Sequence, residues 1–130
     1  MRLWHKCLIP SLPRKQLISQ WRECCAIASR INSKGTPNHP LVNKVLDYSP
    51  RHLYTYGKLI YDEITNRGYK ADWNKFYKYY DTPMVVVDYN DLFNGWHNDR
   101  YYNQCYYNLQ EKADCKMILP SEWSKIEGNL

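Results

Sequence analysis

Glu23 is the sole acidic side chain among the first 34 residues, where Lys and Arg occur seven times: Arg2, Lys6, Arg14, Lys15, Arg22, Arg30 and Lys34. A carboxylate so placed can act as a general base or steady a developing positive charge. On a surface that attracts a polyanion it repels the phosphates its neighbours draw in, so it weakens binding unless it performs chemistry. The competing explanation is an ordinary solvated glutamate that balances local charge, and for any single glutamate that is the commoner case. Arg22 and the nearby cations should keep the carboxyl ionised.

The charge around it supports a polyanionic partner. Residues 1–80 carry 14 basic and 5 acidic side chains, whereas residues 81–130 carry 4 and 8, so the net +5 divides into +9 and −4. Thirteen Tyr and five Trp accompany these charges, and rings among Lys and Arg suit stacking on bases and bonding to phosphates. The same rings could also serve as amphipathic core and rim, though composition puts nucleic-acid binding slightly ahead. That choice is sharpest at "FYKYYD", Phe76 to Asp81, which fits a stacking platform and an aromatic rim about equally.

Other chemistries have less support. His5, His39, His52 and His97 are scattered and form no metal-ligand pattern. No Gly-rich phosphate loop occurs, and no cofactor is expected. Cys7, Cys24, Cys25, Cys105 and Cys115 are odd in number and form no C-x-x-C pair with one another, which favours reduced, buried thiols. No apolar run reaches the ~20 residues of a membrane span, and "MRLWHKCLIPSLPRK" lacks the long apolar region of a signal peptide. A cytoplasmic monomer without membrane attachment is the expectation.

Helices must position these residues. From Pro13, read as a first-turn proline, Leu17, Trp21, Cys24, Ala28 and Ile31 recur at helical spacing, with Gly35 as the stop. At 100° per residue Glu23 lies 200° from Trp21, on the polar side. After the loop "TPNHP", "LVNKVLDY" reads as a short helix closed by Ser49-Pro50. A long helix is predicted from Pro50 to Arg67, with Leu53, Tyr56, Leu59, Ile60 and Ile64 inward and Gly68 at its end. "ADWNKFYKYY" should give a further turn or two, and "MVVVDYN" a buried extended connector. "DRYYNQCYYNLQEKADC" is the third long helix, with Tyr102, Cys105, Tyr106 and Leu109 on one side and Asn98 or Asp99 as its cap. "PSEWSKIE" is a short last one. The predicted fold is therefore all-α: one compact domain over residues 1–130, with about three main helices, short extra helices and an N-terminal segment packed near them.

Three stretches resemble the phage-type pyrimidine-dimer DNA glycosylases (endonuclease V). "LIPSLPRKQLISQWRE", Leu8 to Glu23, aligns without a gap to the start of that family, with Leu8, Leu12, Leu17, Trp21, Arg22 and Glu23 at the matching positions. "EITNRGY" is similar to the end of the family's long helix, and "LQEK", Leu109 to Lys112, to a Leu-Asp-Glu-Lys in its last long helix. The opening "MRLWHK", with "QWRECCAIA", "GTPNH" and "GWHNDRYYNQCYYNLQEK", resembles a cellular branch of the same family.

The resemblance implies a DNA glycosylase that also cuts at abasic sites, acting on double-stranded DNA with a damaged base such as a pyrimidine dimer. Its nucleophile is the N-terminal α-amine, which forms an imine with deoxyribose C1′. Its glutamate, at Glu23 here, assists both stages. An α-amine has a reference pKa of ~7.7–8.0, so a useful fraction is nucleophilic near neutrality. Residue 2 is Arg2, a side chain before which the initiator Met is normally kept, which makes Met1 the candidate. Ala26 and Asn108 stand where the family has arginines, a departure that bears on which lesion is read. Arg2, Arg22, Arg30 and Lys112 remain as candidate DNA contacts. A non-catalytic DNA- or RNA-binding protein on the same fold is the alternative.

Overall fold

In a computed structural model of the chain, residues 1–80 and 84–128 are described; Asp81 of the "FYKYYD" stretch lies outside them. Five α-helices run α1 (Arg14–Lys34), α2 (Pro50–Asn66), α3 (Asn74–Tyr77), α4 (Asp99–Asp114) and α5 (Pro120–Glu127). Two 3-10 helices precede α1 and α2, at Lys6–Ser11 and Asn43–Asp47. No strand occurs among the described residues, and no helix among them is long and apolar enough to cross a membrane. The fold is all-α, as the periodicity predicts.

Helix boundaries follow local chemistry. Gly35 ends α1 in the left-handed region at φ 74°, its N–H donating to Ile31 O; glycine takes that conformation without a Cβ penalty. Pro13 sits one position earlier than expected, as the N-cap whose C=O accepts from Leu17 N–H. Pro50 opens α2 at a position where a missing N–H costs nothing. Asn98 caps α4, accepting from Tyr101 N–H at 2.9 Å. One carboxylate serves two helix starts: Glu122 accepts from Leu119 N–H at 3.2 Å and from Arg14 N–H at 2.9 Å, which joins α5 to α1.

α1 packs on α2 through the predicted stripe. Leu17, Trp21, Cys24 and Ala28 are buried, and so are Gln20 and Ile27. Trp21 meets Tyr61, Trp73 and Phe76 at ring-centroid distances of 5.6, 6.2 and 5.6 Å. Phe76 is fully buried and lies over Gly57 of α2. "FYKYY" therefore belongs to the core and its rim: Phe76 and Tyr80 pack at 5.3 Å, with Tyr77 and Tyr79 partly buried. Close approach of the rings to α2 depends on a residue without a side chain.

Two expectations need correction. The "MVVVDYN" connector is irregular, running into a turn at Tyr89 and Asn90, and is not buried, with Val85 70% exposed and Val86 48%. Side chains from α2 hold its backbone instead. Arg51 donates to Val85 O and Val86 O at 2.8 and 3.2 Å, and Thr55 Oγ1 accepts from Val87 N–H at 2.8 Å. Once its backbone groups are paired in this way, a β-prone run needs neither a strand partner nor burial. The cysteines also differ from expectation: Cys24 and Cys105 are buried, Cys7 and Cys25 half-buried, and Cys115 exposed.

The N-terminal segment threads between helices and is held residue by residue. Tyr101 Oη donates to Leu3 O at 2.6 Å, and Tyr56 Oη to Trp4 O at 2.6 Å. Lys6 N–H donates to His97 Nδ1 at 3.0 Å, while Lys6 Nζ donates to Tyr89 O and Leu92 O at 2.7 and 2.8 Å. Arg67, at the end of α2, donates to Leu12 O and Pro10 O at 2.7 and 3.0 Å. A segment with so many buried backbone partners cannot slide, so Met1 and Arg2 are delivered to a fixed place beside α1.

Candidate active site

A cleft of about 350 Å³ opens where the N-terminus meets α1 and α4. Met1, Arg2, Gln16, Glu23, Asn108 and Lys112 are among the residues that line it. Four of the six residues singled out in the sequence thus come together: Met1, Arg2, Glu23 and Lys112. Arg22 and Arg30 do not line it. Both are exposed on α1, Arg30 in a separate depression with Lys34. That places them as flanking charges rather than as walls of the cleft.

Glu23 is half-buried, where helix geometry alone predicts a solvated position. Its environment also differs from the one expected. Burial pushes its carboxyl above the usual range; the positive α-amine, the Arg2 backbone N–H and the Gln20 side chain pull it back only in part. Arg22 is not among the groups that set it. The correction has a simple cause: the N-terminal segment folds over this side of α1 and takes water from the carboxylate. Gln20 Nε2 donates to Glu23 Oε2 at 2.9 Å. Neither ion pair found among the described residues, Lys58–Asp62 and Arg67–Glu63, involves Glu23. A partly desolvated carboxyl with a raised pKa is better suited to taking and returning a proton than a solvated one.

Arg2 is anchored as well as charged. Its guanidinium lies 5.4 Å from the centroid of the Trp4 ring, its Nη1 stands 3.8 Å from Cys105 Sγ, and its C=O accepts from Gln20 Nε2 at 2.9 Å. A phosphate or base arriving in the cleft meets a guanidinium already held in place. Lys112 faces it from α4, and Asn108 lies one turn earlier on the same helix.

Other nucleophiles are less well placed. Burial raises the thiols of Cys24 and Cys25, which leaves little thiolate near neutrality. Burial pushes Lys6 down, but its ammonium is committed to two carbonyl oxygens.

Sequence reasoning missed Gln20, the residue that organises this site. It is fully buried, and its side chain reaches Trp4, Arg2, Glu23 and Tyr56. The signal was its position, between Leu17 and Cys24 on the apolar stripe of α1. A polar residue there demands partners.

The cleft joins an N-terminal amine, a partly buried glutamate and basic side chains on one face. A family model described as pyrimidine dimer DNA glycosylase matches residues 1–77, more than half of the chain. The chain belongs to the pyrimidine dimer DNA glycosylase family. The matched residues contain Met1, Arg2, Arg22, Glu23 and Arg30, together with α1, α2 and α3. Lys112 and Asn108 come from the part beyond the match. No curated protein matches the chain, and no solved structure does. Membership of this family makes damaged DNA the family-level substrate.

Proposed function

We propose that the chain is a DNA repair glycosylase with abasic-site lyase activity, using the Met1 α-amine as nucleophile and Glu23 as acid–base. The observation that supports this most is that Met1 and Glu23 share one cleft, with the amine's charge acting on the carboxyl. The amine attacks C1′ of the damaged nucleotide, and the bond to the base breaks as the base leaves with its electron pair. The sugar ring then opens: the C1′–O4′ bond breaks, O4′ takes a proton, and loss of the amine proton leaves C1′ doubly bonded to nitrogen as the imine. The imine acidifies C2′; Glu23 takes a C2′ proton, and the 3′ phosphate departs by β-elimination. Glu23 can return its proton to the medium or to a leaving group.

Arg2 and Lys112 contact the nucleotide held in the cleft, and Arg22 and Arg30 neutralise phosphates along α1. The lesion is a pyrimidine dimer in double-stranded DNA, and the protein acts as a monomer without cofactor.

Borohydride reduction in the presence of abasic DNA tests the reading directly. A covalent adduct should form, and peptide mapping should locate it on Met1. Acetylating the α-amine, or retaining an N-terminal extension, should abolish it. Full trapping by a homogeneous extended protein would move the nucleophile to a lysine. No trapping at all, with tight DNA binding kept, would leave a non-catalytic binding protein.

A further inference from the structure

We infer that Gln20 is the positioning residue that sets the N-terminal amine against the Glu23 carboxylate, an inference that depends on the roles given above to Met1 and Glu23. Its amide orientation is fixed by its partners. On one side Trp4 N–H can only donate, at 2.8 Å, so Oε1 must face it. On the other, Arg2 O can only accept, as does the Glu23 carboxylate when ionised, both at 2.9 Å, so Nε2 must face them. A flipped amide would set donor against donor and acceptor against acceptor. Tyr56 Oη, 2.9 Å from Oε1 and 2.6 Å from Trp4 O, closes the network from α2. Its single proton goes to the nearer oxygen or is shared between the two.

Both N–H groups of one nitrogen are therefore spent on the two reacting parties. One holds the carbonyl of the residue next to the amine; the other holds the carboxylate. A planar amide in a fully buried site gives that pair a single separation. Packing alone would be served by a leucine at this place on the stripe, without the cost of desolvating two polar atoms of the amide. Satisfying the Trp4 and Arg2 backbone is the purely structural alternative, and it makes no demand on the protonation of Glu23.

The test uses the full chain with its native N-terminus, and the variants Gln20→Glu and Gln20→Met. Cleavage of a preformed abasic oligonucleotide is measured across pH. Both variants should lower kcat by about 10- to 100-fold with little change in KM, as expected for misplaced reacting groups. Gln20→Glu should also move the acid limb of the kcat profile upward by about one pH unit, because a second carboxylate raises Glu23 further. A folded Gln20→Glu protein with the parent rate and the parent pH profile overturns the inference.

Should neither variant fold, the parent protein still decides. In its NMR spectrum the two Gln20 side-chain amide protons should shift in step with the Glu23 carboxyl titration. Protons that ignore that titration overturn the inference alone. A parent protein that traps no imine overturns the roles of Met1 and Glu23, and this inference with them.

Discussion

The backbone N–H of Lys6 donates to Nδ1 of His97 across 3.0 Å, joining the N-terminal segment to the turn before α4. The bond makes Nδ1 the acceptor and leaves the proton on Nε2, which is buried with no hydrogen-bond partner among the described residues. Burial, followed by the charges of His5 and Lys6, lowers His97 from 6.5 to about 2. The folded protein therefore refuses a proton that the unfolded chain accepts below about pH 6.5. Stability should fall as pH drops from 6.5, with a limiting slope of about 1.4 kcal/mol per pH unit from this group. Urea midpoints between pH 7 and pH 5 should show the decline. His97→Asn, whose side-chain oxygen can still accept from Lys6, should lose most of this group's share of the slope. An unchanged slope would place the acid sensitivity elsewhere.

Glu23→Gln separates surface charge from chemistry. Since burial raises the Glu23 carboxyl in the folded state, that group binds its proton more tightly there than when unfolded. Its contribution therefore opposes folding as pH rises through the shifted value. The amide variant should be at least as stable as the parent at neutral pH, and the difference should vanish in acid, where both are neutral. DNA binding should hold or tighten. Abasic cleavage should drop by about 100-fold or more, the scale of a lost general base. Cleavage at the parent rate would reduce Glu23 to a surface charge.

Salt dependence should distinguish the flanking arginines from the cleft. Each phosphate neutralised contributes about −0.9 to the log–log slope of affinity against salt. Arg30→Ala should flatten that slope by about one and leave cleavage at saturating DNA unaltered. Lys112→Ala, which removes a wall of the cleft, should change both. A parent affinity indifferent to salt would remove electrostatics from DNA binding altogether.

Gly57→Ala tests the contact between α2 and α3. A Cβ at residue 57 would overlap the Phe76 ring, which is fully buried. Displacing that ring disturbs Trp21 and Trp73 behind it. A loss of about 1–3 kcal/mol is expected, the scale of overpacking in a filled core. An unshifted urea midpoint would show that Phe76 yields freely.

The main helices were legible because their apolar spacing is strong and Gly or Pro marks their ends. Gly35 and Pro50 stand where those rules put them. The connector from Met84 to Val87 escapes sequence reasoning because propensity favours burial of a valine run and says nothing of Arg51 and Thr55, more than thirty residues earlier. The cleft was legible in part. Met1, Arg2, Glu23 and Lys112 carry charge or a known motif. Gln20 carries neither, and its partners Tyr56 and Trp4 lie far off in the chain. The state of Glu23 is hidden from the sequence for a related reason: the helix wheel knows nothing of a segment that folds over it.

The stretch that carries the family signature ends at residue 77, yet the N-terminal segment is clasped by residues well beyond it. Tyr89 and Leu92 hold Lys6 by its ammonium, His97 holds its amide, and Tyr101 holds Leu3. A fragment stopping at 77 would keep the recognisable motif and lose these four grips on the segment that carries the amine. The placement of the N-terminal amine is thus a long-range property, lent to the family-matched front of the molecule by its unmatched rear. Hydrogen exchange should report this as one cooperative unit, with the amides of Trp4 and Lys6 opening together with those of Leu92 and His97.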